Sequence, residues 1–556
     1  MEDVISQHAQ LLTTTTTAGE IVRQTAEFCP TVWGDFFISY CPSFTLQNFR
    51  LLLEQRVADL IEEVKTVLAN VDSHPKEVCL IDDLQRLGIA YHFEHEIDDA
   101  LRRIHSNGYD TDDVSIAALH FRLLRQQGYN VSSDFLYKFK DGEGKFKQEL
   151  SCAAKDLLCL YEASWLGTQD EKILDEVLDF SRDHLDRIVV NQEGLHGARI
   201  NHALETPFHH GMRRLEARHY ISIYQEDQSS NQILLELAKL DFNLSQSLHQ
   251  SEIKNISVWW KELALVKKLS FARDRVVECY FWSLGVHFEP QYSQGRMLLT
   301  KLITLASVMD DMFDAYGTIE ELQLFSDVIQ RWEVQDLDHL PEYMQVYLKS
   351  LSRIVKEIEE ELVRKQRVHY QPYLIESIKA LAGAYFHEAK WASKGYMPSL
   401  EEYLEISVTS SGYPMLTCAS LILMGEVTKD AIDWAFSVPK IVKASALIAR
   451  LMDDLVTTKL EQKRKHVSSA VQCYMNDNRA TEEEASAKLS IMVAGAWKDM
   501  NSELLKQCHF KKHLNLLALN FARMIEVIYK HEDGYTNPSG QMKDNIDLVL
   551  VHPTQD

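Results

Sequence analysis

The segment that most restricts the fold runs from Gly295 to Thr318. Leu298, Leu299, Leu302, Ile303, Leu305 and Ala306 recur at helical spacing with no proline between them, which predicts a buried helix. That helix delivers Asp310, Asp311 and Asp314 at its C-terminal end. Residues four apart are turned by only about 40° around a helix, so Asp310 and Asp314 share a face while Asp311 sits about 100° away. Two carboxylates one turn apart, at the end whose dipole already favours cations, repel each other unless a cation joins them. Hard oxygen donors select Mg²⁺ or Mn²⁺, and Mg²⁺ leaves part of its shell to water and substrate phosphate. The alternative is a solvated acidic helix end, and a lone DDxxD does not decide between the two.

A second oxygen-rich stripe lies in the apolar helical pattern from Ser445 to Glu461. Asp453, Thr457 and Glu461 fall at i, i+4 and i+8, drifting about 80° over roughly 12 Å of helix. Carboxylate, hydroxyl and carboxylate together suit one hard ion. Arg450 projects near the same face and offers a fork-shaped donor for phosphate oxygens. Either stripe alone could be an exposed helix face. Jointly they describe a chamber for several Mg²⁺ ions and a diphosphate.

Here DDMFDAYGT, followed by the D-D-L-x-T-x-x-x-E segment, resembles the plant terpene synthases, specifically the sesquiterpene cyclases of class I chemistry. Further matches are Phe271-Ala272-Arg273-Asp274-Arg275, Val276 to Trp282, Arg213 to Arg218, and Asp533-Gly534-Tyr535-Thr536. The resemblance runs in one order from about Val22 to the C-terminus. It implies metal ligation by Asp310, Asp314, Asp453, Thr457 and Glu461, with three Mg²⁺ ions for which Mn²⁺ substitutes. It implies farnesyl diphosphate as substrate, with Arg273, Arg275 and Arg450 on the departing diphosphate. Trp282, Tyr535 and Tyr529 would turn π-faces to a carbocation, and Asp533 belongs to the same group of site residues. Geranyl or geranylgeranyl diphosphate are the alternative substrates, and a helical protein that only binds a prenyl diphosphate is a more distant one. A chain-elongating prenyltransferase would carry a second DDxxD in place of the Thr457/Glu461 stripe. A monomer is expected.

Two more segments bear on the site. Trp282 lies two turns after Arg275, placing phosphate donor and indole on nearly one face, while Asp274 is in position to cap the intervening helix. Ser407 to Pro414 interrupts two helical patterns with hydroxyl, Gly and Pro residues. It is either a simple kink or, as the resemblance implies, a break whose carbonyls face the cation. Ser410, Ser411, Gly412 and Tyr413 would then form one pocket wall. Ala306 or Ser307, one turn before Asp310, and Ile303, two turns before it, would form another.

The rest of the chain reads as all-α, because no Val/Ile-rich alternating segment stands out. The polar joint from Gln225 to Gln232 divides it into an N-terminal helical domain, 1–228, and a C-terminal catalytic domain, 229–556. An N-terminal arm carries Arg23, Gln24 and Trp33, where the family has an arginine pair before the tryptophan and uses the arm to cover the site. Asp110-Thr111-Asp112-Asp113 spells the DxDD of class II cyclases, yet it directly precedes Val114 to Leu119 and reads as a helix cap. His92-Phe93-Glu94-His95-Glu96 lacks zinc-helix spacing, and His209-His210 sits beside Pro207 and Gly211. Both are expected to be solvated loop histidines.

Charge and cysteine usage exclude other classes. A net charge of −24 opposes nucleic-acid binding. No run approaches the length of a membrane span. Nine scattered cysteines without a C-x-x-C pair suit a reducing compartment. The first 22 residues contain no Lys or Arg, unlike a transit peptide, so the cytoplasm is expected.

Overall fold

The computed structural model describes residues 23, 28–40, 47–190, 194–335, 337–425, 427–464, 468–506 and 511–554, without the side chains of 47–49, 195, 266, 459–464 and 511–513. Helices dominate among them, and strand pairing is limited to one isolated bridge between Lys140 and Phe146. The all-α expectation holds because the apolar periodicity near 3.6 runs through nearly every long segment.

Helices between Gln47 and Phe242 enclose one core around Leu60, Ile81, Leu84, Leu101 and Leu123. A larger core runs from Ile253 to Leu550 and takes Trp33, Phe37 and Met212 from the other half. The polar joint is a turn: one helix ends at Glu226, and Asn231 caps the next, Gln232–Leu263, through the N–H groups of Ile233 and Leu234. That long helix serves both cores. Its Leu234, Leu235, Leu237, Ala238 and Phe242 belong to the first, and its Ile253, Ile256 and Trp260 to the second.

The two cores also meet through residues expected to be solvated. His209 and His210 are buried. His209 Nε2 donates to Asn501 Oδ1 at 2.8 Å, because the Asn501 amide already donates to the carbonyls of Trp165 and Gly167. His210 stacks on Trp497 with 3.7 Å between ring centroids. His92 also departs from expectation, since its Nε2 lies 2.9 Å from the buried carboxylate of Asp241. Only His95 is solvated, with 85% of its side chain exposed. Adjacent loop residues look solvated in one dimension, but here the loop is clamped between helices.

Burial, with Arg523 close by, holds His209 well below the ordinary histidine pKa. The unfolded chain takes up this proton below about pH 6.5 and the fold does not, so stability is complete above that pH and falls by about 1.4 kcal/mol per unit below it. The melting midpoint of the wild type should therefore drop more between pH 7 and 5.5 than that of His209→Gln. Equal drops would remove His209 from the acid response.

The DxDD segment is a cap. Asp113 accepts from the Ile116 N–H at 3.0 Å at the start of Val114–Gln126, while Asp110 pairs with Lys138 on the surface and Asp112 is fully exposed. Replacing Asp110, Asp112 and Asp113 together with Asn should leave turnover intact and move the melting midpoint little, because Asn caps nearly as well as Asp. A collapse of turnover at unchanged stability would restore a catalytic role.

One stretch, Leu400–Met424, is long and apolar enough by composition alone to cross a membrane. Its side chains are mostly buried within the fold, and the chain breaks midway.

Candidate active site

The first motif ends the helix Ser293–Ala315. Buried hydroxyls along that helix are satisfied locally, Thr300 and Thr304 each donating 2.8 Å to the carbonyl one turn back. The helix stops where the Gly317 N–H donates to Met312 O, and a Thr318–Glu321 capping box opens the next helix. A Cβ on Gly317 would lie 2.6 Å from Leu322 Cδ2 and 3.0 Å from Met312 O, so this tight exit needs glycine.

Asp311 is fully buried and orients Arg273. Its Oδ2 accepts the Arg273 backbone N–H at 2.8 Å, and its Oδ1 lies 2.7 Å from Arg273 Nε. Arg273 Nη2 reaches across to Asp310 Oδ2 at 2.7 Å. Asp310 keeps 29% of its side chain accessible. Burial, followed by the charge of Asp314, pushes its carboxyl up, against the pull of Arg273 and Arg450. A carboxylate pair that raises its own pKa in this way is a donor set suited to a divalent cation.

The second motif lies on the helix Lys440–Arg464. Arg450 Nη1 donates to Asp453 Oδ2 at 3.3 Å, and its Nε is buried with no acceptor among the described residues. Thr457 donates its proton to Asp453 O at 2.9 Å, leaving its oxygen lone pairs for another partner. The Glu461 side chain lies outside the described residues. Asp454 turns the other way, accepting from Tyr403 and the Ala470 N–H to anchor the following helix. The two motifs lie within electrostatic reach of each other: Arg450 acts on Asp310, and Tyr529 feels both Asp453 and Arg273.

Arg275 is placed differently from the expected anion ligand. Its guanidinium donates to the carbonyls of Cys29, Asp274, Tyr535 and Thr536 at 2.7–2.9 Å. With its donors committed to main chain, it clamps the N-terminal arm and the 533–536 loop together. Asp274 does not cap the helix Val276–Val286 as expected, because its carboxylate accepts from Trp260 Nε1 at 2.8 Å. Asp533 shapes the loop, accepting from the N–H groups of Tyr535 and Thr536. The arm crosses the same region. Arg23 makes a bidentate pair with Glu321, and Trp33 Nε1 donates to buried Glu278 at 3.0 Å. Gln24 lies outside the described residues.

Below the charges lies an aromatic box. Trp282 meets Tyr413 edge-on at 6.2 Å and Tyr535 at 5.8 Å. Tyr529 is buried, and burial together with Asp453 and Asp533 pushes its hydroxyl pKa up. Helices end at Ser410 and restart at Tyr413, with Gly412 in the left-handed region at φ 78°, so the expected break exists. Tyr413 donates to Phe521 O at 2.9 Å, and Ser411 donates to Val408 O at 2.8 Å. Ile303 is buried in the same core. Ser307 is not a bare wall residue, since it accepts the Tyr535 hydroxyl at 2.7 Å.

Sequence reasoning missed Glu388. It is buried on the helix Gln371–Lys394 and accepts from Ser410 Oγ at 2.6 Å. Burial pushes its carboxyl up to about 7, with Arg450, Asp314 and Asp310 all acting on it. The available signal was an acid on the face that also buries Leu381, Tyr385 and Ala389.

Comparison with known proteins bears on this chamber. Residues 32–204 match the terpene synthase N-terminal domain, and residues 261–499 match the metal binding domain of the terpene synthase family. A (−)-germacrene D synthase of Vitis vinifera is 47% identical over 96% of this chain and 96% of its own length. The chain belongs to the terpene synthase family. Sesquiterpene synthase 2 of Toona sinensis is another terpene synthase close to it, 45% identical over 96% of this chain and 97% of its own. Among solved terpene synthases, isoprene synthase from grey poplar leaves superposes with a TM-score of 0.86 at 34% identity, covering 91% of this chain and 98% of the other. That structure holds three Mg²⁺ ions and dimethylallyl-S-thiolodiphosphate. The metal binding domain of this terpene synthase spans both acidic helices, whereas Tyr529, Asp533 and Tyr535 lie beyond it.

Proposed function

We propose that the protein is a Mg²⁺-dependent sesquiterpene synthase that ionises farnesyl diphosphate and cyclises the resulting carbocation to a hydrocarbon or alcohol. The observation that carries this reading is that Arg450 of the second oxygen-rich helix acts on Asp310 of the first, while Arg273 binds Asp310 and lies over the Tyr535 ring of the aromatic cluster. Asp310, Asp314, Asp453, Thr457 and Glu461 would hold the metal, which when bound draws charge off the diphosphate and makes it a leaving group. Arg450 brings a buried N–H that has no acceptor among the described residues, which suits an anion. Arg273 brings a cation held in place by Asp311. The arm and the 533–536 loop, clamped by Arg275, cover the chamber against water that would quench a cation. Trp282, Tyr413 and Tyr535 offer π-surface to the cation without an exposed lone pair.

The test is incubation with geranyl, farnesyl and geranylgeranyl diphosphates plus Mg²⁺, measuring diphosphate release and product mass. Fifteen-carbon products from farnesyl diphosphate are expected. Preferred use of another chain length would move the protein to mono- or diterpene synthesis, and no release from any substrate would reduce it to a binding protein. The proposal includes a monomer in the cytoplasm, with a non-catalytic unit at 1–228 and a catalytic unit at 229–556.

Product choice should respond to the pocket wall. Changing Ile303 to Ala enlarges it. Changing Gly412 to Ala strains a left-handed residue by about 1 kcal/mol without a steric clash, since the nearest side-chain atom lies 4.0 Å away. Both variants should alter product ratios and raise early-quenched alcohols, read by mass spectrometry per diphosphate released. An unchanged product spectrum in both would place these residues in packing alone.

A further inference from the structure

Tyr535 is held by its main chain and, separately, by its hydroxyl. Its N–H donates to Asp533 Oδ1 at 3.1 Å and its carbonyl accepts from Arg275 Nε at 2.9 Å. Those contacts fix the loop main chain, while the buried ring packs against Trp282 and Arg273. The ring is tied down further by its phenolic oxygen, which donates to Ser307 Oγ at 2.7 Å and lies 3.4 Å from Cys279 Sγ. In that orientation the ring meets Trp282 edge-on, with planes 72° apart, and carries the Arg273 guanidinium 5.1 Å from its centroid.

We propose that Ser307 is a positioning residue that locks the Tyr535 ring, and so one wall of the aromatic box, to the helix carrying Asp310 and Asp314. Ser307 differs from its neighbours on that helix. Thr300 and Thr304 face buried surroundings and are described by donation to carbonyls one turn back, whereas Ser307 is the acceptor for a residue 228 positions away. Tyr535 is only 5% exposed, so water does not replace a lost Ser307, and a hydroxyl left with only the weak Cys279 thiol favours a new ring position. The pin keeps the ring face registered to the acidic helix, three residues ahead of Asp310. The phenol gives its only proton to Ser307, so its contact with Cys279 needs the thiol as donor. Loss of the pin shifts the ring face, and therefore the partition among products.

This inference rests on the proposed synthase activity, and its test separates the two. Ser307→Ala, Ser307→Thr, Tyr535→Phe and the Ala/Phe double variant are compared for products per diphosphate released from farnesyl diphosphate. Melting midpoints are taken without substrate. Ser307→Ala and Tyr535→Phe should shift the same product ratios in the same direction by about twofold or more. The double variant should go no further than either single one, and Ser307→Thr, which keeps the acceptor oxygen, should stay near wild type. The midpoint losses of the two single variants should likewise fail to add. Wild-type product ratios in Ser307→Ala, or additive effects in either readout, would overturn the pin. If the wild type releases no diphosphate from any prenyl substrate, the synthase reading fails, and the melting cycle alone still decides whether Ser307 holds Tyr535.

Discussion

Asp310→Asn should abolish measurable turnover while leaving the fold in place. The carboxylate it removes has its pKa raised by burial and then by the charge of Asp314, a strain that a bound cation relieves. Metal stabilisation of a departing phosphate amounts to several kcal/mol, and about 4 kcal/mol corresponds to roughly a thousandfold in rate. The fold should tolerate the change because Arg273 keeps both contacts to Asp311, and Asn remains a hydrogen-bond acceptor for Arg273 Nη2. Circular dichroism and the melting midpoint should stay near wild type, while diphosphate release falls by about three orders of magnitude. Residual activity within tenfold of wild type at saturating Mg²⁺ would remove Asp310 from the metal set.

The largest stability effect is expected at Arg296, on the same helix but far from the chemistry. Arg296 and Glu252 form a bidentate pair at 2.7 Å, with side chains 0% and 3% exposed. Tyr280 adds a hydrogen bond to the carboxylate, and Arg296 Nη1 donates to the carbonyls of His287 and Glu289. Arg296→Met fills much of the volume but leaves the Glu252 carboxylate buried with only a phenol. Breaking a buried pair from one side costs about 3–5 kcal/mol. That should lower the midpoint of the transition reporting the larger core, Ile253 to Leu550, by roughly 5–10 °C. The double variant Glu252→Leu with Arg296→Met should recover most of the loss, because apolar replacement of both partners is often neutral. A double variant as unstable as the single would mean that the arginine acts through its carbonyl contacts.

What was legible in the chain is what depends on local spacing. The buried helix that ends in Asp310 and Asp314, the break at Ser411-Gly412, the cap at Asp113 and the turn after Glu226 each follow from residues within a few positions of one another. Partners drawn from distant segments were not legible. Arg275 has the character of an anion ligand, yet its donors are taken by carbonyls up to 261 residues away. His209 lies in a polar loop, and its partner Asn501 is 292 residues on. Glu388 was overlooked because an isolated acid carries no motif, and its meaning comes from Asp310, Asp314 and Arg450 on other helices.

The helix Gln232–Leu263 bears on how this chain can be cut or recombined. A fragment ending at 228 loses Leu234, Leu235, Leu237 and Phe242, and with them one side of its core. A fragment starting at 229 carries those same apolar residues with nothing to cover them, an adhesive stripe at its N-terminus. Exchanges between relatives that split at the turn would pair each half with a foreign surface along that stripe. Chimaeras therefore inherit compatibility from the first three turns of one helix more than from the loop before it. The two halves are separable on paper and interlocked in three dimensions.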